Sequence, residues 1–307
     1  MKISTTKLSS LQAEQLDTWA TEAINRSKLG QISAYIPLLA QADRQGFAVQ
    51  IMAVDGQIWS WGSIGQTFPL MSCVKPFVLL YLLCALGETA VFDCVGCEPS
   101  QRPFNSLTQL EADRGKPRNP MINSGAIALA SLIPGENAEA RCENLRIWLN
   151  RQANSQLFID ELMLDSVNAV PNQNNWNLAL EMVQSGYLQN SEIALETYNR
   201  VCCLSGTVED LAKLGMVLVG GGEAIWENCR TVKALMATCG LYEASSRFAT
   251  RVGLPAKSGV SGAMLAVIPG QGAIGCYSPP LDKEGNSIGG LFLVEQISKS
   301  LRLSVFD

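Results

Sequence analysis

The sequence predicts an α/β fold of the α+β kind, with an antiparallel sheet assembled from both ends of the chain around a largely helical insertion. Three observations lead there. Two β-like runs, Phe47 to Val54 and Gln57 to Gly62, flank Asp55-Gly56, the strongest short hairpin signal. Two more runs, Ala263 to Ile268 and Gly272 to Tyr277, face each other across Pro269-Gly270-Gln271. The sequence between these pairs keeps apolar residues at helical spacing. The expected layout is one domain over residues 1–307, with sheet from about 30–70 and about 250–307 and helices over about 71–249.

The elements follow in order. Leu16, Trp19, Ala20, Ala23 and Ile24 recur at helical spacing, with Ser10 as the expected cap. Ser72 to Leu86 reads as a buried helix ending near Gly87. Val208, Leu211, Ala212, Leu214 and Leu218 form a stripe capped by Thr207 and stopped by Gly220-Gly221-Gly222. Polar loops such as Pro134-Gly135-Glu136-Asn137 and Asn172-Gln173-Asn174-Asn175 separate the helices. Ile288 to Val294 fits a helix or a strand.

Composition narrows the function. The 307 residues are 47% hydrophobic, enough for a large core. The net charge is −5 and no basic run could track a phosphate backbone, so nucleic acid is not expected as a partner. The start, Met1 to Ser10, lacks an apolar signal core, and the apolar run Phe77 to Leu86 is too short for a bilayer. The expectation is a soluble, unexported, cytoplasmic protein without a membrane partner. Ten cysteines sit mostly in apolar sequence, as in Tyr81-Leu82-Leu83-Cys84, and read as buried reduced thiols. Cys94-Val95-Gly96-Cys97 has metal or redox spacing but no second pair to complete it. There is no histidine. That removes the Ser-His-Asp triad, the Cys-His pair and HExxH zinc chemistry, and leaves Lys, Tyr, Asp or Glu as the base of any nucleophile.

Ser72-Cys73-Val74-Lys75 offers such a base. On a helix, positions i and i+3 share a face. A desolvated lysine there loses its proton and can accept one from the serine hydroxyl. Ser4-Thr5-Thr6-Lys7 fits the same pattern, but in a start that reads as disordered. Lys257-Ser258-Gly259 is the second element, since serine acyl-transfer enzymes with S-x-x-K carry K-[ST]-G on a strand beside the site. Asn119-Pro120-Met121-Ile122-Asn123-Ser124-Gly125 reads locally as a loop, or as a polar fork from Asn123 into the site.

Taken together, these blocks resemble the serine-dependent glutaminases. Ala34-Tyr35-Ile36-Pro37, Val54-Asp55-Gly56, Ser72-Cys73-Val74-Lys75-Pro76, Glu98-Pro99-Ser100, Asn119 to Ile127, Gly253 to Gly262, Tyr277-Ser278-Pro279 and Gly285-Asn286-Ser287 run in the family's order. The resemblance implies a β-lactamase/transpeptidase-like fold and hydrolysis of L-glutamine to L-glutamate and ammonia. It implies no cofactor and no metal, and association as a homodimer or homotetramer. It makes Ser72 the nucleophile, Lys75 its base and Tyr242 a proton relay to the leaving ammonia. The backbone N–H groups of Ser72 and Val260 would hold the oxyanion. Tyr35, Asn123, Asn177 and Tyr198 would line the substrate pocket. The family carries a stretch like S-E-x-x-x-G-D-R-N before the helix containing that asparagine. Set on Ala169 to Asn177, it puts Val170 where a glutamate would meet the substrate's α-ammonium, and Trp176 where an arginine would stand. Alternatives from the same residues are an amidase for another amide, a silent homologue that binds a metabolite or partner, and a penicillin-recognising acyltransferase.

Overall fold

The computed structural model describes residues 6–220, 222 and 225–307. Ser4 and Thr5 of the first S-x-x-K pattern and Gly221 of the glycine stop lie outside the described residues. The elements are α1 (Ala13–Ser27), β1 (Ala48–Ala53), β2 (Ile58–Gly62), β3 (Phe68–Pro69), α2 (Lys75–Cys94), α3 (Leu107–Ala112), α4 (Asn123–Leu132), α5 (Ala138–Ala153), β4 (Phe158–Ile159), α6 (Glu161–Asn168), α7 (Gln173–Gln184) and α8 (Ser191–Cys202). They continue with β5 (Leu204–Gly206), α9 (Val208–Gly220), α10 (Trp226–Cys239), α11 (Ser245–Arg251), β6 (Ala256–Ser258), β7 (Ala263–Ile268), β8 (Gly272–Tyr277) and α12 (Ile288–Leu301).

The main sheet is antiparallel, in the order β2-β1-β8-β7-β6. It joins the early hairpin to the late one through β1 and β8, as expected from the sequence. Every residue of β7 and β8 is buried. Side chains alternate across a strand, so an unbroken apolar run needs cover on both faces. The sheet has it. Ala263, Leu265 and Val267 point into the core shared with α2 and α9, whereas Met264, Ala266 and Ile268 point into the core shared with α1 and α12. Gly275 lets α9 approach, since a Cβ there would lie 2.6 Å from the Val208 carbonyl oxygen. A second sheet of three short strands, β3-β5-β4, stands inside the helical part, where the sequence showed only helices and loops.

Several expectations move. Ser10 does not cap α1: it closes a 3₁₀ turn, Leu8–Ser10, and Gln12 forms a capping box with Gln15 instead. Thr207 does cap α9, its hydroxyl accepting from the Asp210 N–H at 3.3 Å. Ile288 to Val294 is helical, opened by the Ser287 side chain. The helix expected from Ser72 is split. Met71–Val74 is a 3₁₀ turn, and α2 starts at Lys75 and resumes beyond Gly87 to Cys94. Met71–Cys94 as a whole has the length and apolar composition of a membrane span, more than the run Phe77 to Leu86 suggested. Gly87, at φ 82 and ψ 168, breaks it into two pieces, and α2 is buried from Lys75 to Leu80. Cys84 is exposed, so the thiol used as the example of burial faces outward, while seven others are buried.

Candidate active site

Ser72 sits on the 3₁₀ turn that connects β3 to α2, directly after Met71, whose φ is 47°. A side-chain-bearing residue in the left-handed region is strained and persists only when its surroundings hold it. Here the holding contacts come from the sheet. The Leu70 N–H donates to the Leu204 carbonyl at 2.8 Å, and the Cys73 thiol donates to the carbonyls of Lys257 and Ala263, each at 3.4 Å. Gly259 lies against the same turn: a Cβ there would sit 2.7 Å from the Leu70 carbonyl oxygen. Lys257 and Ser258 therefore end the edge strand β6, and Gly259 directly after it packs on the nucleophile turn. Tyr242, on a 3₁₀ turn before α11, has φ 57° and places its hydroxyl beside Ser72, donating to the Ser258 carbonyl at 3.3 Å. Two of the five described non-glycine residues with positive φ thus flank one serine hydroxyl.

Lys75 begins α2, one helical turn after Ser72, and is 2% exposed. Its Nζ donates to the Asn123 Oδ1 at 2.8 Å and the Met121 carbonyl at 3.2 Å. Neither acceptor is charged. Burial pushes its pKa down to about 8, opposed only by the neighbouring Cys202 thiol. A lysine in that range supplies a neutral amine near neutral pH. Lys257 is fully buried as well, 4.2 Å above the Tyr242 ring. Its Nζ donates to the Ser258 carbonyl at 2.7 Å. Burial first, then the charge of Lys75, drive its pKa well below the ordinary lysine value. Burial raises that of Tyr242, so its phenol stays protonated.

Asn123 is the hub of the polar wall. Its Oδ1 accepts from Lys75 and, at 3.2 Å, from the Tyr198 hydroxyl, while its Nδ2 donates to the Asn175 Oδ1 at 2.9 Å. Asn119 sets the backbone that carries it: its Oδ1 accepts from the N–H groups of Met121 and Ile122, and its Nδ2 donates to the Glu98 carbonyl. That accounts for the asparagine-rich motif before α4, which reads locally as a loop. The Val260 N–H makes no hydrogen bond among the described residues, and Ser72 lies at a helix start, where N–H groups lack intrahelical partners.

The structure thus brings Ser72, Lys75, Asn123, Tyr198 and Tyr242 together, with Val260 on the adjoining turn. Tyr35 is 61% exposed, on a segment whose neighbours Ile36 and Leu38 pack beside Tyr198 and Val260. Asn177 is not brought in. It is half-buried and accepts from Gln173 on the outer side of α7. Asn175 takes the inner place. Residues two apart on a helix point to opposite sides, so only one of the pair can reach Asn123. The signal was in the sequence: Asn175 falls in phase with Leu178, Ala179 and Met182, the buried face of α7. With the asparagine at 175, the alignment that set Val170 opposite a glutamate shifts by two residues, and Val170 itself is 47% exposed after the end of α6. Asn175 is the site residue that the sequence reading lacks, whereas Lys257 was expected there as part of the Lys-Ser-Gly element without a role of its own.

Comparison with known proteins gives a consistent result. The family described as Glutaminase matches residues 30–306. A Synechocystis protein named Glutaminase is 44% identical over 292 residues, 94% of this chain and 89% of that protein. The solved structure of the probable glutaminase ybaS superposes with a TM-score of 0.88 at 36% identity, covering 97% of this chain and 100% of that one. A covalent complex of the Bacillus subtilis glutaminase YbgJ with 5-oxo-L-norleucine, formed from 6-diazo-5-oxo-L-norleucine, gives a TM-score of 0.87 at 30% identity, covering 96% and 99%.

Proposed function

The chain belongs to the glutaminase family, and on that premise we propose that it hydrolyses the side-chain amide of L-glutamine through an acyl-enzyme on Ser72. The observation that carries this reading is the buried Lys75, held by uncharged acceptors one turn from a serine that follows the strained Met71. In the scheme, the Ser72 Oγ attacks the amide carbon and its proton passes to the neutral Nζ of Lys75. The oxyanion points at the N–H groups of Ser72 and Val260. Collapse breaks the C–N bond, and the leaving nitrogen takes the proton held by Lys75, relayed through the Tyr242 hydroxyl, and departs as ammonia. Water then cleaves the ester and releases L-glutamate, with Lys75 again receiving the proton. Lys257, buried beside Tyr242 with its Nζ donating to the Ser258 carbonyl, holds the edge strand against the phenol. Tyr35, Asn123, Asn175 and Tyr198 bind and orient the substrate.

The experiment is ammonia release from L-glutamine combined with intact-mass and peptide mapping after a diazoketone glutamine analogue. One adduct on Ser72, absent in Ser72→Ala, is expected. An adduct elsewhere, or undiminished turnover by Ser72→Ala, would overturn the assignment.

A further inference from the structure

The connection between α6 and α7, the stretch that the family resemblance sets against the substrate's α-ammonium, carries no carboxylate. From residue 166 to residue 180 the chain reads Ser-Val-Asn-Ala-Val-Pro-Asn-Gln-Asn-Asn-Trp-Asn-Leu-Ala-Leu, without a single charged side chain. Whatever register is chosen for the connection between α6 and α7, it offers no counter-charge, and Glu161 and Asp165 earlier on α6 are exposed. Val167, on the last turn of α6, packs into the apolar cluster that holds Met71 and Tyr198 and is flanked by Val260. Ser166 beside it is engaged with the Leu38 N–H at 3.1 Å. Asn168 is exposed, and its Oδ1 accepts from the Asn199 amide at 3.4 Å.

The rest of the site points the same way. Among the described residues, no Asp or Glu makes an ion pair or side-chain hydrogen bond with Ser72, Lys75, Asn123, Asn175, Tyr198, Tyr242 or Lys257. The groups that act on the two lysines are each other and buried thiols. Glu243 is the nearest carboxylate by sequence. It follows Tyr242, and its Oε2 is buried without a hydrogen-bond partner. The site therefore offers no fixed negative charge, and its polar groups are the two buried lysines, neutral amides and hydroxyls. An ammonium desolvated against Val167 would find no carboxylate to pair with, and an unpaired buried charge is costly.

We propose that the site accepts ω-amides of C5 acids that carry no α-ammonium, the class of glutaramate and 2-oxoglutaramate, at least as well as L-glutamine, and that Val167 sets this tolerance. The proposal rests on the acyl-enzyme reading above and specifies its substrate class. The carboxylate and the amide of such substrates keep the contacts that glutamine makes. What they lack is the one group for which the wall has no partner.

The test compares kcat/KM of the wild-type enzyme for L-glutamine, glutaramate and 2-oxoglutaramate, with Val167→Glu, Val167→Gln and Glu243→Gln in parallel. The expected wild-type ratio of glutaramate to L-glutamine is one or more. Val167→Glu should turn the ratio toward L-glutamine by about 100-fold, as a buried charge gains its partner, while the uncharged Val167→Gln leaves it within a few-fold. A wild-type preference for L-glutamine of about 100-fold overturns the proposal, and loss of that preference in Glu243→Gln would name Glu243 as the counter-charge instead. If Val167→Glu does not fold, the wild-type ratio alone decides. Failure of the acyl-enzyme reading looks different: no amide is turned over, and the diazoketone without the α-amino group leaves Ser72 unlabelled.

Discussion

The two walls of the site are built differently. The reacting wall, formed by the turn before α2, the edge strand β6 and the turn before α11, is buried, strained at Met71 and Tyr242, and tied down by backbone carbonyls. The recognition wall, formed by α4, the α6–α7 connection and α8, is a chain of neutral side-chain hydrogen bonds that ends in half-buried and exposed residues. Backbone that is held in a sparsely populated conformation cannot drift, so the chemistry is fixed. Side chains on a helix face can be exchanged without moving the backbone, so the substrate end is free to vary.

The largest effect should come from breaking the reacting wall. Ser72→Ala removes the nucleophile and should lower kcat by roughly 10⁴-fold or more. Its far-UV circular dichroism and denaturant midpoint should stay close to wild type, because the hydroxyl fills little space and no hydrogen bond of it holds the fold among the described residues. Unfolding of this variant would assign Ser72 to the scaffold instead. Lys75→Ala should follow with about a 10³-fold loss.

The pH dependence tests the same wall without a mutation. With the Lys75 pKa down at about 8, the neutral, proton-accepting form grows as pH rises through that value. The kcat/KM profile should climb between about pH 7 and 9 with an apparent pKa near 8. Stability shifts in the same direction. Between about 8 and the ordinary lysine value of 10.5, the unfolded chain holds a proton that folded Lys75 has lost. Folding stability should therefore gain with pH across that window, and Lys75→Met should flatten the gain. A flat activity profile between pH 7 and 9 would remove Lys75 as the base.

The same contrast explains what was legible in the sequence. The strands β7 and β8 run over the residues expected, because an apolar run bounded by Pro-Gly-Gln leaves few alternatives. Ser72, Lys75, Lys257 and Gly259 were legible because their chemistry dictates their spacing. The 3₁₀ turn under Ser72 was not, since local periodicity does not report strain imposed by Leu204 and Gly259 from elsewhere in the chain. The short sheet β3-β5-β4 escaped for a related reason: strands of two or three residues are too brief for an alternation to register. The recognition wall was misphased because Asn172 to Asn177 contains four asparagines. In such a run the identity of a residue says nothing about which one turns inward.

Asn175 and Asn177 give the smallest and sharpest comparison, two like side chains two positions apart on α7. Asn175→Ala removes the only acceptor of the Asn123 Nδ2 among the described residues and leaves a buried donor unpaired. That costs about 1–3 kcal/mol. Asn123 also orients Lys75, so kcat/KM should fall about 10-fold or more, with a lower denaturant midpoint. Asn177→Ala loses an exposed contact with Gln173. It should change stability by less than about 0.5 kcal/mol and turnover by less than about 2-fold. If the two effects were reversed, the inward face of α7 would have to turn by roughly 160°, a little under half a helical turn. Leu178, Ala179 and Met182 would then face solvent, and their burial makes that rotation far more costly than the loss of either asparagine.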